Sequence, residues 1–394
     1  MSLDLPQLLP QVDDLGAFSA RRAEEAQAAL PEALALLDEA ARMDRESLAH
    51  KIRAAGDAWR GARPTDEPLD AIFALPALPA RLHVLAADGS QVHLDRHASA
   101  YFYLVNVGSL HVVHGSGQAP RAQSRPRLAF ADEEIYNDSG ATIDIALVNA
   151  RRDVAEMEEL ARLASACDGE DSLALLDNGL LLWLATQERH RAEVEPLLKA
   201  YWAAMDRLHK AGAALAGFIH QPRSVNLLAL IHLAGLTEKQ AKSAPPRAAA
   251  FRGLTDRNVM ARRLKPGERS ARIVPVSRLN NEFDARSHAV QAFYLHTGEE
   301  IARVEVPAWI GESPSRLAQV HAGIVEQCRV TGIPYGLVRA HELAVVTPSD
   351  RQALDRLVAA AMARHGLVTH ISQKARTKRW TSGRRRHILG RHAG

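Results

Sequence analysis

A chain of 394 residues with 47% hydrophobic and 24% charged content can bury a large core and reads as a soluble globular protein of two or three domain-sized units, or one domain with insertions. Its two cysteines, Cys167 and Cys328, exclude a disulfide framework and a CxxC metal site and fit a reducing compartment. No stretch approaches the roughly 20 apolar residues of a membrane span, the first residues lack a basic leader, and the net charge of +3 is modest, so a cytoplasmic protein is expected. In chain order, residues 1–63 form an N-terminal helical region, rich in Ala, Leu, Glu and Arg from Ala17 to His50, with Pro31 starting a second helix. Pro64, Pro68, Pro76 and Pro79 mark an irregular connection. Leu82 to Ala87 is a continuous apolar run closed by Asp88-Gly89-Ser90, which predicts a buried strand ending in an acid. Asp-Gly is also a common turn, so this acid alone is not diagnostic.

Strands are predicted at Ala100 to Val107 and Ser109 to His114, with Gly108 as a break, then a turn at Gly115 to Arg127 and a short strand at Leu128 to Ala131. Three strands without an intervening helix make an antiparallel meander. Asn149 to Ala166 is a helix with Val154, Met157, Leu160, Ala161 and Ala164 on one apolar stripe, flanked by Glu156, Glu158 and Glu159. Ser172 to Leu176 is a second apolar strand ending in an acid, Asp177, before Asn178-Gly179. A helix from Gln187 to Gly212 and a strand from Ala213 to Ile219, ending at His220, complete the first part of a core over residues 80–222.

Residues 223–270 read as a helical, basic insertion, because Glu238 to Arg272 holds ten Lys or Arg against three acids. The second part of the core, 271–365, has strands at Ala271 to Val276, Ala289 to His296 and Glu300 to Val306, the last two a hairpin through Thr297-Gly298. A helix at Ser315 to Arg329 follows, then a strand at Tyr335 to Val346 carrying Arg339, His341 and Glu342, and a helix to His365 capped by Ser349. Residues 366–394 form a basic tail with eight Lys or Arg and no acid. Clustered positive charge is the footprint of a polyanion partner, although basic termini are also often simply solvated.

Three acids occupy comparable places: Asp88, one or two of the helix glutamates, and Asp177. Three antiparallel strands, a helix and a fourth strand beside the first is the ribonuclease H-like order, which would set the two aspartates side by side with the helix acid above. Clustered carboxylates repel unless a divalent cation neutralises them, and hard oxygen donors suit magnesium or manganese. Such a site fits metal-assisted hydrolysis of a nucleic-acid backbone. His341 could add a nitrogen ligand or shuttle a proton, or be a structural histidine. Tyr294, Lys374 and Lys378 could contact the phosphate, or be a strand aromatic and a solvated tail. Ser90 with His93 or His97 lacks a GxSxG elbow. GxxxxGK[ST] is absent, as are zinc spacings of Cys and His.

The stretches AADGSQ with YFYLVNVG, ARRDVAEMEELARL leading to LALLDNGLLLW, LAGFIHQPRS, AFYLHTGEEIARVEVPAWIGES, IPYGLVRAHELAVVTPSDR and ISQKARTKR follow one another in an order that resembles the NurA-type nucleases, partners of the HerA hexameric translocase, from Leu82 to Arg379. The resemblance implies an α/β, ribonuclease H-like mixed sheet, a homodimer, and manganese-dependent (or magnesium-dependent) cleavage of single- and double-stranded DNA, largely from the 5′ end, in repair or in defence against foreign DNA. It implies Asp88, a helix glutamate, Asp177, Tyr294 and His341 as site residues; the basic tail separately offers Lys374, Lys378 and Arg379 as DNA contacts. Counted from Arg152, one helical turn earlier, Glu156 is the first choice and Glu159 the reserve. The chain departs from the family at Asp177-Asn178-Gly179, usually Asp-Gly-Ser, and at His220, often a lysine. The rival to an enzyme is a dimeric DNA clamp for the motor without cleavage.

Overall fold

A computed structural model describes residues 3–56, 58–95, 100–137, 139–167, 169–187, 191–243 and 251–367. Its centre is one sheet built from β1 (Ala62–Pro64), β2 (Ile72–Phe73), β3 (Leu82–Val92), β4 (Tyr103–His114), β5 (Arg121–Ala129), β6 (Ser172–Leu176), β7 (Ala214–Ile219), β8 (Arg269–Ser270), β9 (Ile273–Pro275), β10 (Val290–His296) and β11 (Ile301–Pro307). The strand order is β1-β9-β10-β11-β7-β6-β3-β4-β5, with β8 joining β10 and β2 joining β8. β3, β4 and β5 are an antiparallel meander, while β6 lies parallel to β3 and β7 parallel to β6. Three antiparallel strands followed by two parallel ones on the side of the first is the ribonuclease H-like topology. β10 and β11 extend it as an antiparallel hairpin.

One face of the sheet is covered by the helices Ile145–Ser165 and Arg191–Lys210, whose Val154, Met157, Leu160, Leu198 and Met205 pack on Leu85, Val105, Ala174 and Leu215. The helices Pro314–Cys328 and Tyr335–Ala344 cover the opposite face through Leu317, Val320, Ile324 and Leu337, against Val84, Leu175, Phe293 and Val304. The inner strands are apolar on both faces, as strands sandwiched between helices must be. Beyond them, Ala292 and Tyr294 meet a third core shared by the N-terminal helix and the insertion helix Asn226–Gly235. Among the described residues no helix is long and apolar enough to cross a membrane.

Several expected elements are corrected. The N-terminal helix runs unbroken from Leu5 to Arg42 through Pro10 and Pro31, because Leu30, Ala33, Leu37 and Ala40 are buried against the insertion helices; that packing offsets the roughly 3 kcal/mol an internal proline costs. Asp88 is not a strand end, since β3 continues through Gly89 and Ser90 to Val92 on an unbroken ladder to β4. Gly108 is not a break but lies inside β4, opposite Asp88. β5 was hidden because Arg121 to Leu128 is exposed on both faces and carries Pro126, which only an edge strand tolerates. The stretch Ala271 to Val276 pairs as a strand only over Ile273–Pro275. Tyr335 to Val346 is a helix over Tyr335–Ala344, with Leu337, Ala340 and Ala344 buried at a spacing of three and four. The last helix, Pro348–Arg364, is capped by Thr347 in a capping box with Asp350, not by Ser349.

Candidate active site

The parallel register pairs Ala87 of β3 with Leu176 of β6, so Asp88 and Asp177 occupy the next positions on neighbouring strands. By alternation Asp88 follows Val84 and Ala86, and Asp177 follows Leu173 and Leu175, onto the face covered by the Tyr335–Ala344 helix. His341 projects from that helix, its Nδ1 2.7 Å from Asp88 Oδ2. The aspartate is 14% exposed and the imidazole 62%, so the pair opens to solvent.

The helix is seated by what β3 and β4 lack and offer. A Cβ on Gly108 would lie 2.2 Å from the Ala340 carbonyl oxygen, so only glycine lets the helix backbone descend to the strand. The Asn106 amide then donates to the carbonyls of Leu343 and Ala344, at 3.1 and 2.8 Å, and Ser90 Oγ donates to the Ala344 carbonyl. These bonds hold the last turn of the helix, where His341 stands; Ser90 is thereby committed as a structural donor. His97 lies outside the described residues.

From the opposite face the Ile145–Ser165 helix brings Glu156 over the backbone of Gly89, where a Cβ would lie 2.5 Å from Glu156 Oε1 and 2.6 Å from Arg152 Cγ. Glu156 is 4% exposed, and among the described residues its Oε1 has no hydrogen-bond partner. Arg152 Nε approaches to 3.1 Å without hydrogen-bonding geometry. Burial above all, then repulsion from Asp153, Asp88 and Asp177, pushes the Glu156 carboxyl well above the usual carboxylate range against the pull of Arg152. Asp177 is raised by burial and then by Asp88, with His341 and His220 acting the other way. A buried oxygen without a hydrogen bond, ion-paired with Arg152 but set among repelling carboxylates and one imidazole, fits a hard divalent cation. The residues able to hold it are Asp88, Glu156, Asp177 and His341, ligation requiring the acids to close in on the ion.

Arg152 and Asp153 join the cluster unannounced: Arg152 Nη2 donates to Asp153 Oδ1 at 2.6 Å and Nη1 to Gln91 at 3.3 Å. The signal was present in Arg-Arg-Asp one turn before Glu156. With Asn149, Glu156, Asn178 and Trp183 they line a cleft of about 410 Å³. His220, where the family often has lysine, pairs with Glu300 and lowers Asp177. The Asn178-Gly179 turn is held by Glu305, whose Oε2 accepts from Leu180 N at 2.9 Å.

Two expected residues stand elsewhere. Glu159 is bound by Arg162 at 2.8 and 2.7 Å and by Ser109 at 2.7 Å; burial would raise it, but these partners hold its carboxyl below the usual range. It is a satisfied structural acid about one turn further along the helix, facing β4. Tyr294 is 1% exposed; its hydroxyl donates to Asp256 and meets Ser224 Oγ at 2.8 Å. Asp256 in turn accepts from the Leu227 and Leu228 amides at 3.1 and 2.9 Å, fixing the start of the insertion helix. The expected phosphate contact of Tyr294 is therefore corrected to a tether for the insertion. Tyr294→Phe should lower stability by about 1–3 kcal/mol, the cost of a partly unpaired buried carboxylate, and leave the kinetics of the acid site unchanged; denaturant melts with parallel assays check both. Lys374, Lys378 and Arg379 lie outside the described residues.

The site thus defines a carboxylate cluster on a ribonuclease H-like sheet. The NurA domain matches residues 82–346, and the chain belongs to the NurA domain family, as the order of its motifs indicated. No curated protein matches it. Among solved structures it is similar to the NurA nuclease from Sulfolobus solfataricus, at 11% identity over 75% of this chain and 88% of that one, TM-score 0.48. It is also similar to a NurA bound to dAMP and manganese, at 11% identity over 74% and 90%, TM-score 0.36. The catalytic domain of human endonuclease V is similar at 13% identity over 80% and 99%, TM-score 0.31.

Proposed function

We propose that this chain is a metal-dependent nuclease that hydrolyses the phosphodiester bonds of DNA with manganese or magnesium. The observation that carries the reading is the convergence of Asp88 and Asp177 from parallel neighbours with the buried Oε1 of Glu156, which makes no hydrogen bond among the described residues. Bound ions would activate a water and stabilise the leaving oxygen. Asp88, Asp177 and Glu156 would hold the ion, with Arg152 as the cation paired to Glu156 when no ion is bound. His341, hydrogen-bonded to Asp88, either ligates through its remaining nitrogen or passes a proton to solvent, which its exposure permits. Such a site engages backbone phosphate and not base edges, so little sequence preference is expected.

Family membership supports the finer reading: a cytoplasmic homodimer acting 5′ to 3′ on DNA ends, with endonuclease activity on single strands, fed by a HerA-like hexameric translocase in end processing or defence. The exposed Leu5, Leu9, Val12, Leu15 and Phe18 on the N-terminal helix support a protein contact there.

The test is cleavage of end-labelled linear DNA with manganese, magnesium or EDTA, with and without a HerA-like partner. The expected result is metal-dependent shortening from the 5′ end. DNA binding without cleavage in every condition would support the clamp and reject the enzyme.

A further inference from the structure

Near the start of β3, about 17 Å along the strand from Asp88, three side chains converge that the acid site does not use. His83 lies near the start of β3, and His111 stands on β4 beside it. Leu85 pairs with His111, so both histidines point to the face covered by the Glu156 helix, where Cys167 follows that helix's last turn. His83 Nδ1 is 3.0 Å from His111 Nε2, and these atoms and Cys167 Sγ lie within 4.8 Å of one another. His83 Nε2 is 3.0 Å from Glu170 Oε2, a carboxylate that Arg81 also meets at 3.0 Å. Cys167 Sγ donates to the Leu163 carbonyl at 3.5 Å.

We propose that His83, His111 and Cys167 form a second metal site, selective for zinc, that ties β3 and β4 to the end of the Glu156 helix. Two imidazoles and a thiolate are a borderline-soft set that zinc takes in tetrahedral geometry, with water completing the shell. Zinc bonds of about 2.0–2.1 Å to nitrogen and 2.3 Å to sulfur place such donors roughly 3.3–3.6 Å apart, within small side-chain adjustments of the observed spacing. Glu170 on the far nitrogen of His83 is the outer-sphere carboxylate that fixes the tautomer of a zinc-bound histidine. Binding releases the thiol proton. Sequence spacing could not reveal this set, because its members come from two strands and a helix terminus.

The test uses the full chain, stripped with EDTA, dialysed and titrated with cobalt(II). The expected result is one equivalent giving a sulfur-to-cobalt charge-transfer band in the near ultraviolet and the intense visible bands of a tetrahedral ion, both bleached by zinc. Cys167→Ser should abolish the charge-transfer band, and Glu170→Gln should weaken binding about 10- to 100-fold. Asp88→Asn should leave the spectrum intact, as should Cys328→Ser, whose thiol burial pushes up to about 12. In an Asp88→Asn background, which removes divalent binding at the acid site, zinc should raise the melting temperature of the chain that keeps Cys167 but not of the chain that also carries Cys167→Ser, a comparison that holds even if the variant is less stable. A wild type without the sulfur band, or a band surviving in Cys167→Ser, would overturn the proposal.

Discussion

Asp177→Asn is expected to lose metal-dependent cleavage by at least about 10²–10³-fold, the several kcal/mol that a misplaced or missing ion withdraws from the transition state. In EDTA at neutral pH and low salt the same variant should melt slightly above the wild type, a small effect because water screens the exposed Asp177. The two effects have one cause: Asp177 stands solvent-exposed beside Asp88 at the end of the buried β6, where partial desolvation and then the Asp88 charge raise its carboxyl above the ordinary value, so ionising it costs somewhat more in the folded chain than in the unfolded one. The sign follows from linkage. Below the unfolded value the group is protonated in both states and carries no penalty. As pH rises from there through the raised folded value, the unfolded state releases its proton first, and metal-free stability falls. Glu156, raised well above 4.5 by burial, acts in the same direction. The wild type in EDTA should therefore lose stability from mildly acidic to neutral pH, and Asp177→Asn should lose less. Thermal melts across that range, with and without manganese, check this; an Asp177→Asn protein that melts lower than wild type at neutral pH in EDTA would mean the carboxylate is satisfied as a structural group.

Gly108→Ala is expected to be the most damaging single methyl beside the acid site. Its Cβ would lie 2.2 Å from the Ala340 carbonyl oxygen, 2.5 Å from the Ala344 amide nitrogen and 2.9 Å from the Leu343 carbonyl carbon. All three atoms are helix backbone, so no side chain can swing aside and the His341 helix must lift. Overpacking of this kind costs about 1–3 kcal/mol, and the lift also strains the Asn106 bonds to the helix end. Because His341 rides on that turn, cleavage should fall about 10²-fold, as an ångström of misplacement does in a positioned site. Gly16→Ala is the control, since a Cβ there meets nothing within 4 Å. Denaturant unfolding with parallel cleavage assays would read both effects, and a Gly108→Ala protein as stable and active as Gly16→Ala would contradict the seating described for this helix.

The acid site was legible in the sequence to the extent that its parts lie on strongly patterned elements. LHVLAAD and SLALLD announced buried strands, and the stripe of Val154, Met157 and Leu160 announced the helix that carries Glu156. Their convergence followed from element order, because a parallel neighbour sets Asp177 beside Asp88. Choosing between Glu156 and Glu159 needed the structure: three residues apart, one faces the cleft without a hydrogen-bond donor while the other is taken up by Arg162 and Ser109. Tyr294 read as a phosphate contact or a strand aromatic because its partner Asp256 lies on the insertion, 38 residues away in sequence. The Tyr335 to Val346 stretch read as a strand because its valines suit a sheet, whereas tertiary packing of Leu337, Ala340 and Ala344 decides for a helix. Glycines 89 and 108 looked like turn and break; their function is close approach, which no local pattern encodes.

The central claim is that Asp88, Glu156 and Asp177 hold one divalent-ion centre. The most direct measurement is manganese binding by electron paramagnetic resonance or titration calorimetry on the wild type, Asp88→Ala and Asp177→Ala, without DNA. The account predicts saturable binding in the wild type that is lost in both variants while their folds persist; binding of equal affinity in all three proteins would contradict it.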